Sequence, residues 1–257
     1  MQKPMSFSRT AIEMLWVQLT WTFWFVGIIL VINVFNIFFS SDGIDGFYSS
    51  GYISSNIYML VIGIITISFL RYYVENGVTR KNYYYGNILA AIGISIILPI
   101  LIYLISLVEK FIFNSFTSIV LQERTLGKID IDMDGNIIGE IVQTMILTPF
   151  ISPENNLLFS LALFSLHIFV FYLIGWLIGS GFSRLGVIGG LAIIVLGIAF
   201  LMIKDTMVRV AFDFPLLETF SVLNDVPESM AYLVIAAIIL VTLLLIRLLT
   251  KRAPIKI

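Results

Sequence analysis

The residues whose types and spacing could do chemistry are a lone histidine, His167, and three alternating aspartates, Asp130, Asp132 and Asp134. Asp130-Ile-Asp132-Met-Asp134-Gly135-Asn-Ile137 matches the first eight positions of an EF-hand-type calcium loop: carboxylates at one, three and five, and the sharp-turn glycine at six. The closing bidentate Glu belongs at position twelve, where Ile141 stands, and Glu140 falls one residue early. Ile129, Ile131 and Met133 alternate with those aspartates around the Asp134-Gly135 pair, which also spells a β-hairpin that needs no metal. The hairpin is the expected form.

His167 lies within an apolar run, where an ionisable group is a functional candidate by default. A relay or metal site takes more than one group, and the only other charge inside an apolar run is Arg247, at the end of the last. A neutral His167 hydrogen-bonded to a nearby helix is therefore expected. Asn33 and Asn36, near the end of the first run, either line a path or hydrogen-bond across helices. Gly127-Lys128 lacks the upstream glycine and following Ser/Thr of a phosphate loop, and Gly179-Ser180-Gly181 has only His167 as a base partner. Zero cysteines removes disulfides and thiolate chemistry. No catalytic residue, resident metal or cofactor is assigned, and the chain is not expected to be an enzyme.

The elements that must position these residues are apolar helices. At 257 residues, 59% hydrophobic and 12% charged, the chain exceeds what one soluble core could bury. Six runs, at about 16–39, 52–70, 88–108, 157–179, 185–203 and 229–249, each have the roughly 20 residues that cross a bilayer. The expected fold is an all-α polytopic membrane protein with a single transmembrane domain over 1–257 and a large outer insertion, 109–156, carrying the hairpin. The last outer connection is placed at Lys204 to Glu228. Met5 to Leu15 reads as an amphipathic lead-in, Trp16 sits at the depth of the aromatic belt, and Trp21 and Trp24 are expected to pack on neighbouring helices.

Folding the runs back and forth sorts the charges. One side collects ten Lys/Arg (Lys3, Arg9, Arg71, Arg80, Lys81, Arg184, Arg247, Lys251, Arg252 and Lys256) against Glu13 and Glu75; the other collects five against fourteen acids. Basic loops stay in the cytosol, so both termini are expected there, in a bacterial plasma membrane. Gly175-x-x-x-Gly179, followed by Gly181, Gly186, Gly189 and Gly190, favours close helix crossing, most economically within one subunit.

Between the second and third runs, Gly77 after Asn76 suits a helix stop and Thr79 suits the cap of a new short helix, about Arg80 to Tyr85, lying at the membrane face. Arg80 and Lys81 would face cytosol or lipid phosphate, with Tyr83, Tyr84 and Tyr85 at headgroup depth. The stretch Asn76-Gly-Val-Thr-Arg-Lys-Asn-Tyr-Tyr-Tyr-Gly86 resembles the Gly-x-Ser/Thr-Arg-Lys-x-aromatic-aromatic-x-Gly segment of permeases in the type-two ABC exporter superfamily. The six-run layout and lead-in are similar too, whereas the large outer insertion falls between runs three and four rather than five and six.

That resemblance implies a coupling helix at Gly77, Thr79, Arg80, Lys81, Tyr83 and Tyr84, docking an ABC ATP-binding subunit that carries ATP and Mg. It also implies a second permease subunit, identical or related, membrane lipid around the pair and no nucleic acid. The cargo would be a hydrophobic or amphipathic peptide or lipid moved outward. Two other classes stay open: an intramembrane enzyme using His167, and a stand-alone sensor or immunity protein using the outer loop.

Overall fold

The computed structural model describes residues 6–39, 46–116, 149–214, 216, 223 and 226–251. Five helices fill nearly all of them: α1 (Phe7–Phe39), α2 (Phe47–Glu75), α3 (Arg80–Phe116), α4 (Leu157–Ala211) and α5 (Glu228–Lys251). Each is long and apolar enough to span a membrane, and no strand occurs among the described residues. The chain is thus a helical, multi-pass membrane protein by its architecture. Asp130, Asp132 and Asp134, with the rest of the expected hairpin, lie outside the described residues.

The 55-residue α4 is two arms joined at Gly186, whose φ of 73° and ψ of −164° leave the helical region. Gly181 abuts Ile193, Gly190 abuts Phe182, and Gly197 abuts Ile174. Partners thus move outward in both directions from residue 186, so the arms run antiparallel as a tight helical hairpin. Glycines also set the main crossing of the bundle. A Cβ on Gly63 of α2 would collide with the Tyr172 carbonyl oxygen of α4, one on Gly175 with the Leu60 carbonyl, and one on Gly179 with the Ile64 carbonyl. The Gly175/Gly179 stripe therefore serves an intramolecular contact of small residues, the packing that works where lipid removes the hydrophobic drive.

Around this crossing Met59, Ile94, Leu98, Phe164, Phe171 and Trp176 are fully buried. Four helices share one buried polar hub at Tyr172: its hydroxyl accepts from Gln18 Nε2 at 2.7 Å, donates to Asn87 Oδ1 at 2.7 Å and lies 2.9 Å from Thr66 Oγ1. Such bonds fix helix register in a bundle where apolar contact alone discriminates poorly.

One end of the bundle gathers the start of α1, the α2–α3 turn, the Gly186 reversal and the end of α5. Gly86 meets the Phe7 carbonyl and Thr10, Arg80 bonds Lys251, and Arg184 bonds Leu248. The opposite end holds Lys110 Nζ at 2.7 Å from Glu154 Oε1, and Glu109 Oε2 accepting the Phe47 amide at 2.7 Å.

Four expectations need correction. Arg80 to Tyr85 is no separate surface helix but the first turns of α3, which runs unbroken to Phe116. Gly86 lies within it, and its missing side chain lets α3 press on α1. The lead-in is likewise the start of α1, with Thr10 and Met14 buried. The fifth run continues past Ile203 to Ala211, which places Lys204, Asp205 and Arg209 inside the helix rather than in an outer loop. Trp21 does pack, its ring 5.7 Å from Phe69, but Trp24 is 73% exposed, as fits a lipid-facing side chain.

Candidate functional site

The turn between α2 and α3 is built by its own capping bonds. Asn76 is the C-cap, Gly77 follows at φ 81°, and the amides of Val78 and Gly77 donate to the carbonyls of Tyr73 at 2.9 Å and Val74 at 3.0 Å. This is the Schellman pattern, with a left-handed residue that glycine adopts without steric cost. Val78 is buried beneath the turn. Thr79 Oγ1 then accepts the Asn82 amide at 3.1 Å, the N-cap bond that starts α3. Gly77, Thr79 and Lys81 remain exposed on the resulting knuckle.

The other residues expected there are engaged internally. Tyr83 and Tyr84 are buried instead of lying at headgroup depth, since their hydroxyls find acceptors inside: Tyr83 donates to the Thr66 carbonyl at 2.6 Å and Tyr84 to the Leu243 carbonyl at 2.9 Å. Arg80 is half-buried, and its Nη1 donates to the Lys251 carbonyl at 2.9 Å. Arg247 Nη1 donates back to the Arg80 carbonyl at 3.3 Å while its guanidinium sits 5.3 Å from the Tyr84 ring. Arg184 Nη1 donates to Leu248 O and, at 3.3 Å, to Leu249 O. The last carbonyls of a helix lack intrahelical donors and carry its negative dipole end, so guanidinium groups stabilise them twice over. Of the six coupling residues expected, three present themselves outward and three brace the knuckle.

His167 is buried, and its Nδ1 lies 2.9 Å from Leu163 O. The acceptor is thus its own helix, one turn back, and not a neighbouring one. The carbonyl can only accept, which puts the proton on Nδ1. His167 is not isolated, either. On the second arm of α4, Asp205 Oδ2 accepts from Arg209 Nε at 2.8 Å, Lys204 Nζ lies 4.0 Å from Asp205 Oδ1, and that ammonium is 5.4 Å from the ring of Phe171, one turn along from His167. Lys204 and Asp205 are fully enclosed. The cluster lies about 15 Å along the first arm from Leu157, by helical rise. Acid, base and imidazole side chains at that depth can hold an ion or a polar group that lipid rejects.

Sequence reasoning missed Lys204, Asp205 and Arg209 because three charges within six residues read as a loop. The usable signal was the Asp205/Arg209 spacing of four with Met207 and Val208 between, the pattern of a helical ion pair that solvates itself. Asn33 and Asn36 lie three residues apart on α1 in different environments, Asn33 buried and Asn36 exposed. Among the described residues no group of His, Asp or Glu gathers as a metal site. No family model, curated protein or solved structure matches this chain.

Proposed function

We propose that this chain is the membrane-spanning subunit of an ATP-driven exporter of the type-two ABC class, energised by a separate ATP-binding protein that docks on the α2–α3 knuckle. The observation that carries this reading is the knuckle itself: a doubly capped, internally braced turn that presents Gly77, Thr79 and Lys81 at the end where Arg9, Arg71, Arg80, Arg184, Arg247 and Lys251 gather. With α4 reversing at Gly186, the helices make six crossings, and the basic end faces the cytosol. Two copies, or this chain and a related one, would enclose a path for a hydrophobic or amphipathic peptide or lipid. ATP and Mg belong to the partner, and ATP-driven closure there would push on the knuckle. Purification of the intact chain from its own cells in mild detergent tests the reading: a stoichiometric companion with a phosphate-binding loop is expected, and its absence counts against an ATP-driven role.

The cluster of His167, Lys204, Asp205 and Arg209 favours one second reading, an intramembrane enzyme. It would show as an activity of the chain alone that His167→Ala abolishes without altering the fold.

A further inference from the structure

The register of the α4 hairpin sets two bases side by side. Gly197 on the second arm abuts Ile174 on the first, so seven residues further along each antiparallel arm Lys204 comes level with His167. Phe171, one turn from His167, lies 5.4 Å from Lys204 Nζ, and the charges of Lys204 and Arg209 both act on the imidazole. Three fully buried atoms at this level have no hydrogen-bond partner among the described residues: Lys204 Nζ, Asp205 Oδ1 and His167 Nε2. Asp205 Oδ2 is already engaged by Arg209 Nε at 2.8 Å, and arginine keeps its proton. The 4.0 Å between Lys204 Nζ and Asp205 Oδ1 is too long for a direct hydrogen bond and suits a bridging water. One water would complete all three atoms, accepting from Lys204 and donating to Asp205 Oδ1 and His167 Nε2, and three partners are usual for a buried water. The neighbouring helices add no further ion to this level. From α2, Tyr52 faces His167 at 6.1 Å between ring centroids, its hydroxyl donating to the Pro149 carbonyl. From α5, Ala231 and Ile235 pack on Met207 and Val208, while the Tyr232 hydroxyl reaches the Ala211 carbonyl.

We propose that Lys204 and His167 form a one-proton site inside the membrane, two bases on opposite arms of α4 that share a single exchangeable proton through one bound water. The Lys204 ammonium gives a proton to the water oxygen as the water gives one of its own to His167 Nε2. One N–H bond breaks, one forms, the water is regenerated and the total charge is unchanged. Asp205 faces the proton in either position, and Arg209 is a positioning residue that holds Asp205 by its other oxygen. A second proton is disfavoured, because Lys204, His167 and Arg209 would then be three cations around one carboxylate in an apolar bundle. The ligand is therefore a proton, taken up or released singly. This site is independent of the ATP-binding partner, and its failure would leave the exporter reading untouched.

The test is solid-state nitrogen NMR of the full chain in lipid bilayers, labelled at histidine. His167 is the only histidine, so its ring signals need no assignment. In the parent protein, Nε2 should correlate with water protons and stay unprotonated from about pH 8 down to about pH 5, because Lys204 holds the one proton of the site. In Lys204→Met, the proton has only His167 to occupy, and Nε2 should become protonated over the same range. Protonation of Nε2 in the parent as readily as in Lys204→Met would mean that the two bases titrate independently, which overturns the shared site. A Lys204→Met protein whose Nε2 stays bare throughout removes His167 from it. Absence of water contact at Nε2 in the parent, a measurement that needs no variant to fold, overturns the bridge and the proposal with it.

Discussion

The Arg80 guanidinium donates to the carbonyl oxygen of Lys251 at 2.9 Å, joining residues 171 positions apart at the start of α3 and the end of α5. Lys251 is exposed and its carbonyl belongs to the last helical turn, so this bond ties a connecting turn to the end of α5. A charge-assisted bond of this kind contributes about 1 kcal/mol or somewhat more where it is partly shielded. Arg80→Gln should therefore lower thermal stability modestly. It should also broaden the distance distribution between spin labels placed at Asn76→Cys and Lys251→Cys, which the cysteine-free chain permits. An unchanged distribution would remove the strut.

Gly77 sits at φ 81°, where a β-carbon strains the backbone although nothing occupies the space beside it. The cost of substitution is thus conformational and should follow tolerance of the left-handed region: Gly77→Asn smallest, Gly77→Ala about 1 kcal/mol, Gly77→Val more. Unfolding of the four proteins in one detergent gives the order directly. A Val variant as stable as the parent would mean the turn is not held as described.

At the crossing of α2 and α4 the penalty is steric instead. Gly175→Ala places a methyl group against the Leu60 backbone, which cannot move aside as a side chain would. A loss of about 1–3 kcal/mol is expected from overpacking. Gly27→Ala, which meets nothing within 4 Å, should be neutral in the same assay.

Asp205 is enclosed between Lys204 and Arg209. Asp205→Asn removes the anion that both cations face, and losing one member of a buried ionic group costs about 3–5 kcal/mol. Lys204→Met keeps an apolar side chain of similar length against Phe171 and leaves the Asp205–Arg209 pair, so it should cost much less. Denaturant unfolding in a bilayer mimic ranks the two. The reverse order would show that Lys204, and not Asp205, is the keystone of the cluster.

Much of the fold was legible because membrane solvation makes long apolar runs unambiguous. The runs starting near Trp16, Tyr52, Ile88, Leu157 and Ser229 each fall inside a helix, and the Gly77 stop and Thr79 cap lie where their chemistry places them. What escaped is what tertiary contact decides. Tyr83 and Tyr84 look interfacial until acceptors on α2 and α5 are supplied, and Arg80 looks free until the end of α5 is brought beside it. Lys204 to Arg209 look like a loop because composition cannot reveal that an ion pair and the Phe171 ring receive them. Gln18, Thr66, Asn87 and Tyr172 were visible as polar residues on four segments, but their convergence on one hydroxyl is a property of packing.

The central claim, that a separate ATP-binding protein docks on the exposed knuckle, is tested most directly at Lys81. Lys81→Glu reverses an exposed charge that makes no bond within the described fold, so the fold should be unaffected, while a carboxylate-lined partner would be repelled. Because the change also weakens a positive-inside anchor, orientation is first checked by labelling Asp134→Cys from outside the cell. With orientation intact, the account predicts that Lys81→Glu loses co-purification of the ATP-binding protein and that a compensating Lys in the partner's acidic rim restores it. Undiminished co-purification in correctly oriented Lys81→Glu would contradict the account.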